Sequence, residues 1–128
     1  MKTCYFTRFD KLVRRREDGI VAEQGISIAR SMPRGTTCTK SCIGLAPSQR
    51  ILNDYKKGLI SWGQYEEYYK MQLSVTDPVQ FFDYLTDLTK DFGEPILLCW
   101  ENIEYNPCHR ILVANWLLEE LGIQVLEL

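Results

Sequence analysis

Two cysteines, Glu101, the only histidine of the chain and an arginine fall within residues 99–110, inside the stretch "ILLCWENIEYNPCHRILVANWL". Arg110 offers a planar fork matched to phosphate or carboxylate. Cys108, flanked by His109 and Arg110, has the neighbours that lower a thiol pKa and make it nucleophilic. Glu101 is suited to act as a base, or as a nucleophile at a ribosyl carbon. His109 reads either as a base or as a donor at a helix start. Each residue also has a plain reading. Buried cysteines are common as small hydrophobes, which applies to Cys99 and Cys108 alike. Glu101 and Arg110 can simply pair to close a corner.

Other thiol chemistry is less well served. A cysteine phosphatase needs a loop of backbone amides between its cysteine and arginine, and Arg110 follows Cys108 too closely to build one. Zinc could draw on Cys38 and Cys42 of "CTKSC" together with Cys99 and Cys108 or His109. The second pair, however, spans a strand-to-helix corner, and no metal ligand is assigned. A redox pair at Cys38 and Cys42 stays open. The cysteine count is five, an odd number that excludes a complete disulfide framework, so free thiols are expected.

The elements that must position these residues follow from periodicity. "KTCYFTRF" at 2–9 suits a strand, and the charged run "KLVRRRED" reads as a solvated loop. "GISIAR" at 25–30 alternates as a second strand. Residues 31–48 form a long loop, of the kind that is functional or mobile. Helical spacing then begins after Pro47, with Ser48 as cap and Ile51, Leu52, Tyr55 and Leu59 on one face. "SWGQ" at 61–64 has the form of a capping box opening a helix with Tyr65, Tyr68 and Tyr69 on its packed face. Asp77 and Pro78 open another, which buries Phe81, Phe82, Leu85 and Leu88. "EPILLCW" is apolar without alternation, as in a buried parallel strand. Asn106 and Pro107 start the last helix. Its inner face is Val113, Ala114, Leu117, Leu118 and Leu121, and Gly122 stops it before the closing strand "IQVLEL". The expected fold is one α/β domain over 1–128, a three-layer arrangement with a mainly parallel sheet of about four strands and helices on both faces.

That architecture puts Cys99, Trp100 and Glu101 at the carboxyl end of a strand, where open parallel sheets bind ligands. Cys108, His109 and Arg110 fall in the first turn of the next helix, where unpaired N–H groups and the dipole attract anions. Arg30 should emerge at the same edge.

The stretch "LLCWENIEYNPCHRILVANWLLEELGIQVLEL" resembles the C-terminal signature of the domain-of-unknown-function family 488. In that pattern an apolar strand ends in Cys, an aromatic residue and Glu, and Cys-His-Arg then opens a helix. The resemblance runs back through "LAPSQRILNDYKKGLISWGQYEEYY" and "ISIARSMPRG" to "YFTRFDKL", and so covers essentially the whole chain. It implies a small α/β domain and no established activity. The motif positions it carries over are Cys99, Glu101, Cys108, His109 and Arg110, with Arg30 as a companion. "CTKSC" departs from the pattern, so nothing carries over to Cys38 or Cys42.

Composition narrows the partners. A net charge of −2 gives no general attraction to nucleic acid, leaving only the basic run at 11–16 as a local route. No signal peptide or bilayer-length apolar stretch is visible, so a cytoplasmic location without membrane partners is expected. The leading functional expectation is binding of a nucleotide or other phosphorylated small ligand through Arg30, Cys99 and Arg110, with no cofactor. One alternative is a hydrolase or N-glycosidase acting on such a ligand, with Glu101, Cys108 and His109 catalytic. Another is a protein-partner module with a structural Cys-His-Arg corner. An exposed aromatic face over 62–69 favours that last reading. A deep pocket lined by Arg30 and Arg110 favours the other two.

Overall fold

The computed structural model describes residues 1–128 and contains one five-stranded, all-parallel sheet. The strands are β1 (Lys2–Tyr5), β2 (Gly25–Ser27), β3 (Lys40–Ser41), β4 (Ile96–Cys99) and β5 (Leu126–Glu127). Their spatial order is β3-β2-β4-β1-β5. The helices are α1 (Phe6–Arg15), α2 (Gln49–Lys56), α3 (Trp62–Ser74), α4 (Pro78–Thr89) and α5 (His109–Leu121). The α/β fold and its parallel sheet are as expected, with one strand more. No helix is long and apolar enough to cross a membrane.

The alternation of β4 builds both faces. Ile96 and Leu98 point into a cluster with Cys4, Phe6, Phe9, Leu12, Cys38, Cys99 and Cys108, which α1 covers. Leu97 points the other way, into a larger cluster with Ile26, Tyr65, Tyr69, Leu73, Leu85, Leu112, Val113 and Leu117. Helices therefore lie on both faces, since each face of a central parallel strand must be buried. Caps fall where their sequences place them. Ser48 accepts from the Ile51 N–H at 3.2 Å, and Asp77 from the Val79 N–H at 2.9 Å. Ser61 and Gln64 close a reciprocal capping box.

Four local expectations are corrected. The strand expected over 2–9 ends at Tyr5, because Phe6, Phe9 and Leu12 recur at helical spacing and bury one face of α1. The basic run is accordingly the C-terminal half of α1, carrying exposed Lys11, Arg14 and Arg15, with Arg16 left-handed at its end. The segment 31–48 is tied down rather than structureless. Asp10 accepts from the Thr36 hydroxyl and from the Thr37 N–H and hydroxyl, and β3 pairs with β2. Finally, α5 starts at His109 rather than at Asn106, because residues 102–106 close their own turn onto Asn102. On that helix Leu112 is buried while Leu118 is exposed, and on α3 Tyr68 is exposed.

Candidate functional site

Beyond the carboxyl ends of β2 and β4 lies a cleft of about 470 Å³. Its floor is Cys99, Cys108 and His109; Arg30 and Lys56 supply cations; Tyr55, Trp62, Tyr65 and Trp100 supply aromatic wall; Glu101 stands at the same opening. The chain turns into the cleft because β4 ends at Cys99 and α5 begins beyond Cys108, so the intervening loop splays away from the sheet.

His109 is held from both sides. Its Nε2–H donates to the Ile28 carbonyl at 2.7 Å, just past the end of β2. Tyr69 meets its ring edge-to-face at 5.5 Å between centroids, and an aromatic series runs on through Tyr65 to Trp62, the last two stacked at 4.7 Å. With Nε2 engaged as donor, the free lone pair sits on Nδ1. That atom lies 3.5 Å from Cys99 Sγ and 3.7 Å from Cys108 Sγ. The thiols differ in character. Burial works to raise Cys108, but the hydrogen bond from Cys99 leads the opposing influences that hold Cys108 well below the usual cysteine range. Cys99 is pushed well above that range, first by donating to Cys108 and then by burial.

The Arg110 side chain makes no hydrogen bond to this cluster. It is fully buried and turned to the opposite side of the first turn, where it forks onto Glu127 of β5. Nε donates to Oε1 at 3.0 Å and Nη2 to Oε2 at 2.8 Å, while Nη1 donates to the Glu101 carbonyl. Thr3 donates to the same carboxylate at 2.7 Å. Burial would lower the guanidinium pKa, but Glu127 outweighs it and raises it. The sequence expectation that Arg110 forms the anion fork of the pocket is therefore corrected, since its three nitrogens bond Glu127 of β5 and the Glu101 carbonyl. The alternative pairing with the Glu101 side chain is corrected too, because Arg110 takes only the main-chain oxygen of that residue.

Of the six residues singled out in the sequence, the structure brings Arg30, Cys99, Glu101, Cys108 and His109 to one cleft and leaves Arg110 outside it. Arg30 is exposed and propped by Gln49 at 3.0 Å and the Pro47 carbonyl at 3.3 Å. Lys56, Tyr55 and Trp62 also line the cleft, and their only sequence signal is position, at the end of one helix and the start of the next. Tyr65 and Tyr69 are buried, so the condition favouring a partner module, an open aromatic face over 62–69, reduces to exposed Tyr68 and half-buried Trp62. Cys38 and Cys42 sit in different clusters, with Cys38 donating to the Lys40 carbonyl, and all five cysteines are free.

The fold and cleft define an open parallel α/β protein whose candidate site lies at the carboxyl edge of its sheet. Within that class the chain belongs to the domain-of-unknown-function family 488. Residues 8–121 match the DUF488-N3a family model, described as the active DUF488-N3 subclade. No curated protein and no solved structure matches it.

Proposed function

We propose that the cleft binds a nucleotide or other phosphorylated small ligand. The observation that carries this reading is the pairing, around one opening, of two cations with an aromatic wall: Arg30 and Lys56 beside Tyr55, Trp62, Tyr65 and Trp100. Aromatic side chains suit a nucleobase or similar ring, and the cations suit its phosphate. Arg30 and Lys56 thus take the part that the sequence suggested for Arg110. An enzymatic variant of the reading draws on Glu101. Its side chain is exposed at the opening and bonds to nothing in the chain, so it is free to act on a bound ligand as base or nucleophile.

A thermal-shift series in the presence of a chelator tests the reading, using nucleoside mono- and diphosphates, ribose 5-phosphate and inorganic phosphate. A compound at 100 times its Kd should add about 2.7 kcal/mol and raise Tm by several degrees. The same compound should leave Arg30→Ala nearly unshifted. If millimolar concentrations of every phosphorylated compound leave the wild type unmoved, the reading is wrong.

A further inference from the structure

We propose that Cys99, Cys108 and His109 form a site for one thiophilic, tetrahedral metal ion, with zinc as the natural probe and the fourth coordination position open to the cleft. The sequence assigned no metal ligand here, and the zinc arrangement it weighed required Cys38 and Cys42. The present site uses neither, and it does not depend on the nucleotide reading.

The donor atoms of the three residues all lie within 4.8 Å of one another, and all three residues are buried at the cleft floor. Spacing is the first argument. With Zn–S near 2.3 Å and Zn–N near 2.05 Å, the S···N edge of a tetrahedron is about 3.6 Å. The two edges here measure 3.5 Å and 3.7 Å. Both edges therefore match the S···N edge of a coordination tetrahedron, and the third pair, the two sulfurs, lies within 4.8 Å.

Orientation is the second argument. A metal-binding imidazole presents one nitrogen to the ion and donates its other N–H to a carbonyl or carboxylate, which fixes both tautomer and ring plane. His109 already has that arrangement, with Nε2–H on the Ile28 carbonyl and Nδ1 facing both sulfurs. The third argument is the donor set. Two thiolates balance a divalent charge in a buried setting, and sulfur with imidazole selects zinc over magnesium or calcium. Three protein ligands beside an open space are also what distinguishes a reactive zinc centre from a closed structural one. As the ion binds, any proton still held by Cys99 or Cys108 passes to solvent and each sulfur forms a bond to the metal, so no oxidant or reductant is needed.

The experiment uses the full chain, free of nucleotide and kept reduced by a non-thiol reductant. Zinc is titrated against a chromophoric chelator, and cobalt(II) is used to read ligand type. The expected result is one equivalent of zinc, with cobalt giving a thiolate charge-transfer band and tetrahedral d–d bands. Cys99→Ser and Cys108→Ser should each weaken binding by at least about 100-fold, more than loss of an outer-shell partner does. Cys38→Ser and Cys42→Ser should bind as the wild type does. His109→Gln should lose affinity to the same degree; if circular dichroism shows it unfolded, the serine variants still decide. Absence of stoichiometric metal, a Cys108→Ser protein that binds normally, or binding lost with Cys38→Ser would each overturn the proposal. The nucleotide test runs in chelator and this one without nucleotide, so either can fail alone.

Discussion

His109 and Arg110 are neighbours in the chain and both buried, yet they sit in opposite situations. Every donor group of Arg110 meets an oxygen, two on Glu127 and one on the Glu101 carbonyl, and Thr3 completes the acceptor side. His109 has one nitrogen satisfied and presents the other to two sulfurs at a cleft. A buried network in which every nitrogen has an oxygen partner serves the fold. A half-closed one keeps capacity at an accessible place. The Cys-His-Arg motif thus divides between two tasks, with Cys108 and His109 turned to the cleft and Arg110 fastening α5 to the edge strand β5.

The largest predicted effect tests the closed side. Arg110→Ala leaves the Glu127 carboxylate without its partner and frees β5, a strand of only Leu126–Glu127. Losing one member of a buried pair costs about 3–5 kcal/mol, and the partial exposure of Glu127 favours the lower figure. Denaturant unfolding should show a loss near 3 kcal/mol. An unchanged midpoint would mean the clasp is not structural.

Gly25→Ala is the matching control, away from the corner at the amino end of β2. A Cβ there would meet Phe9 Cζ at 2.7 Å and Leu98 Cδ1 at 3.0 Å. Overpacking of this kind costs about 1–3 kcal/mol. Stability should fall while ligand and zinc binding at the cleft persist; loss of binding in step with stability would blur the division between the two sides.

Arg30→Ala is the inverse case. It removes an exposed side chain with two hydrogen bonds, so stability should change by no more than about 0.5 kcal/mol. The stabilisation by a phosphorylated ligand should nevertheless disappear in the thermal-shift series.

The smallest effect lies at the foot of the sheet. Lys2 first, and then the terminal ammonium, hold the Glu94 carboxyl below its usual range. The sign follows from a folded-state pKa that lies below the unfolded one. The stabilisation is present above the ordinary carboxylate pKa and is lost as pH falls through the lowered value. Glu94 is more than a third exposed, so screening reduces the pair to a few tenths of a kcal/mol. Wild type and Glu94→Gln should differ slightly in Tm at neutral pH and converge in acid. A gap that widens in acid contradicts the assignment.

What the sequence made legible was local. Caps at Ser48, Ser61 and Asp77, the buried run Ile96–Cys99 and the stop at Gly122 are written in a few adjacent residues, and each stands where those residues place it. Cys99, Glu101, Cys108 and His109 met at one cleft for the same reason, since a strand end and the next helix start are neighbours in the chain, whereas Arg30 joins them through the pairing of β2 with β4. Non-local pairing was not legible. Strand β3 is two residues long and exists because β2 lies beside it. The partner of Arg110 lies seventeen residues on and reaches it through the pairing of β5 with β1.

The central claim is that ligand capacity lies on the cleft side of this corner and not at Arg110. The most direct measurement is calorimetric titration of the best phosphorylated compound into wild type, Arg30→Ala and Arg110→Lys. Arg110→Lys keeps a charge but not the bidentate fork, so it should start less stable and still bind with wild-type affinity, while Arg30→Ala loses binding. Binding lost in Arg110→Lys and kept in Arg30→Ala would contradict the account and return the anion site to Arg110.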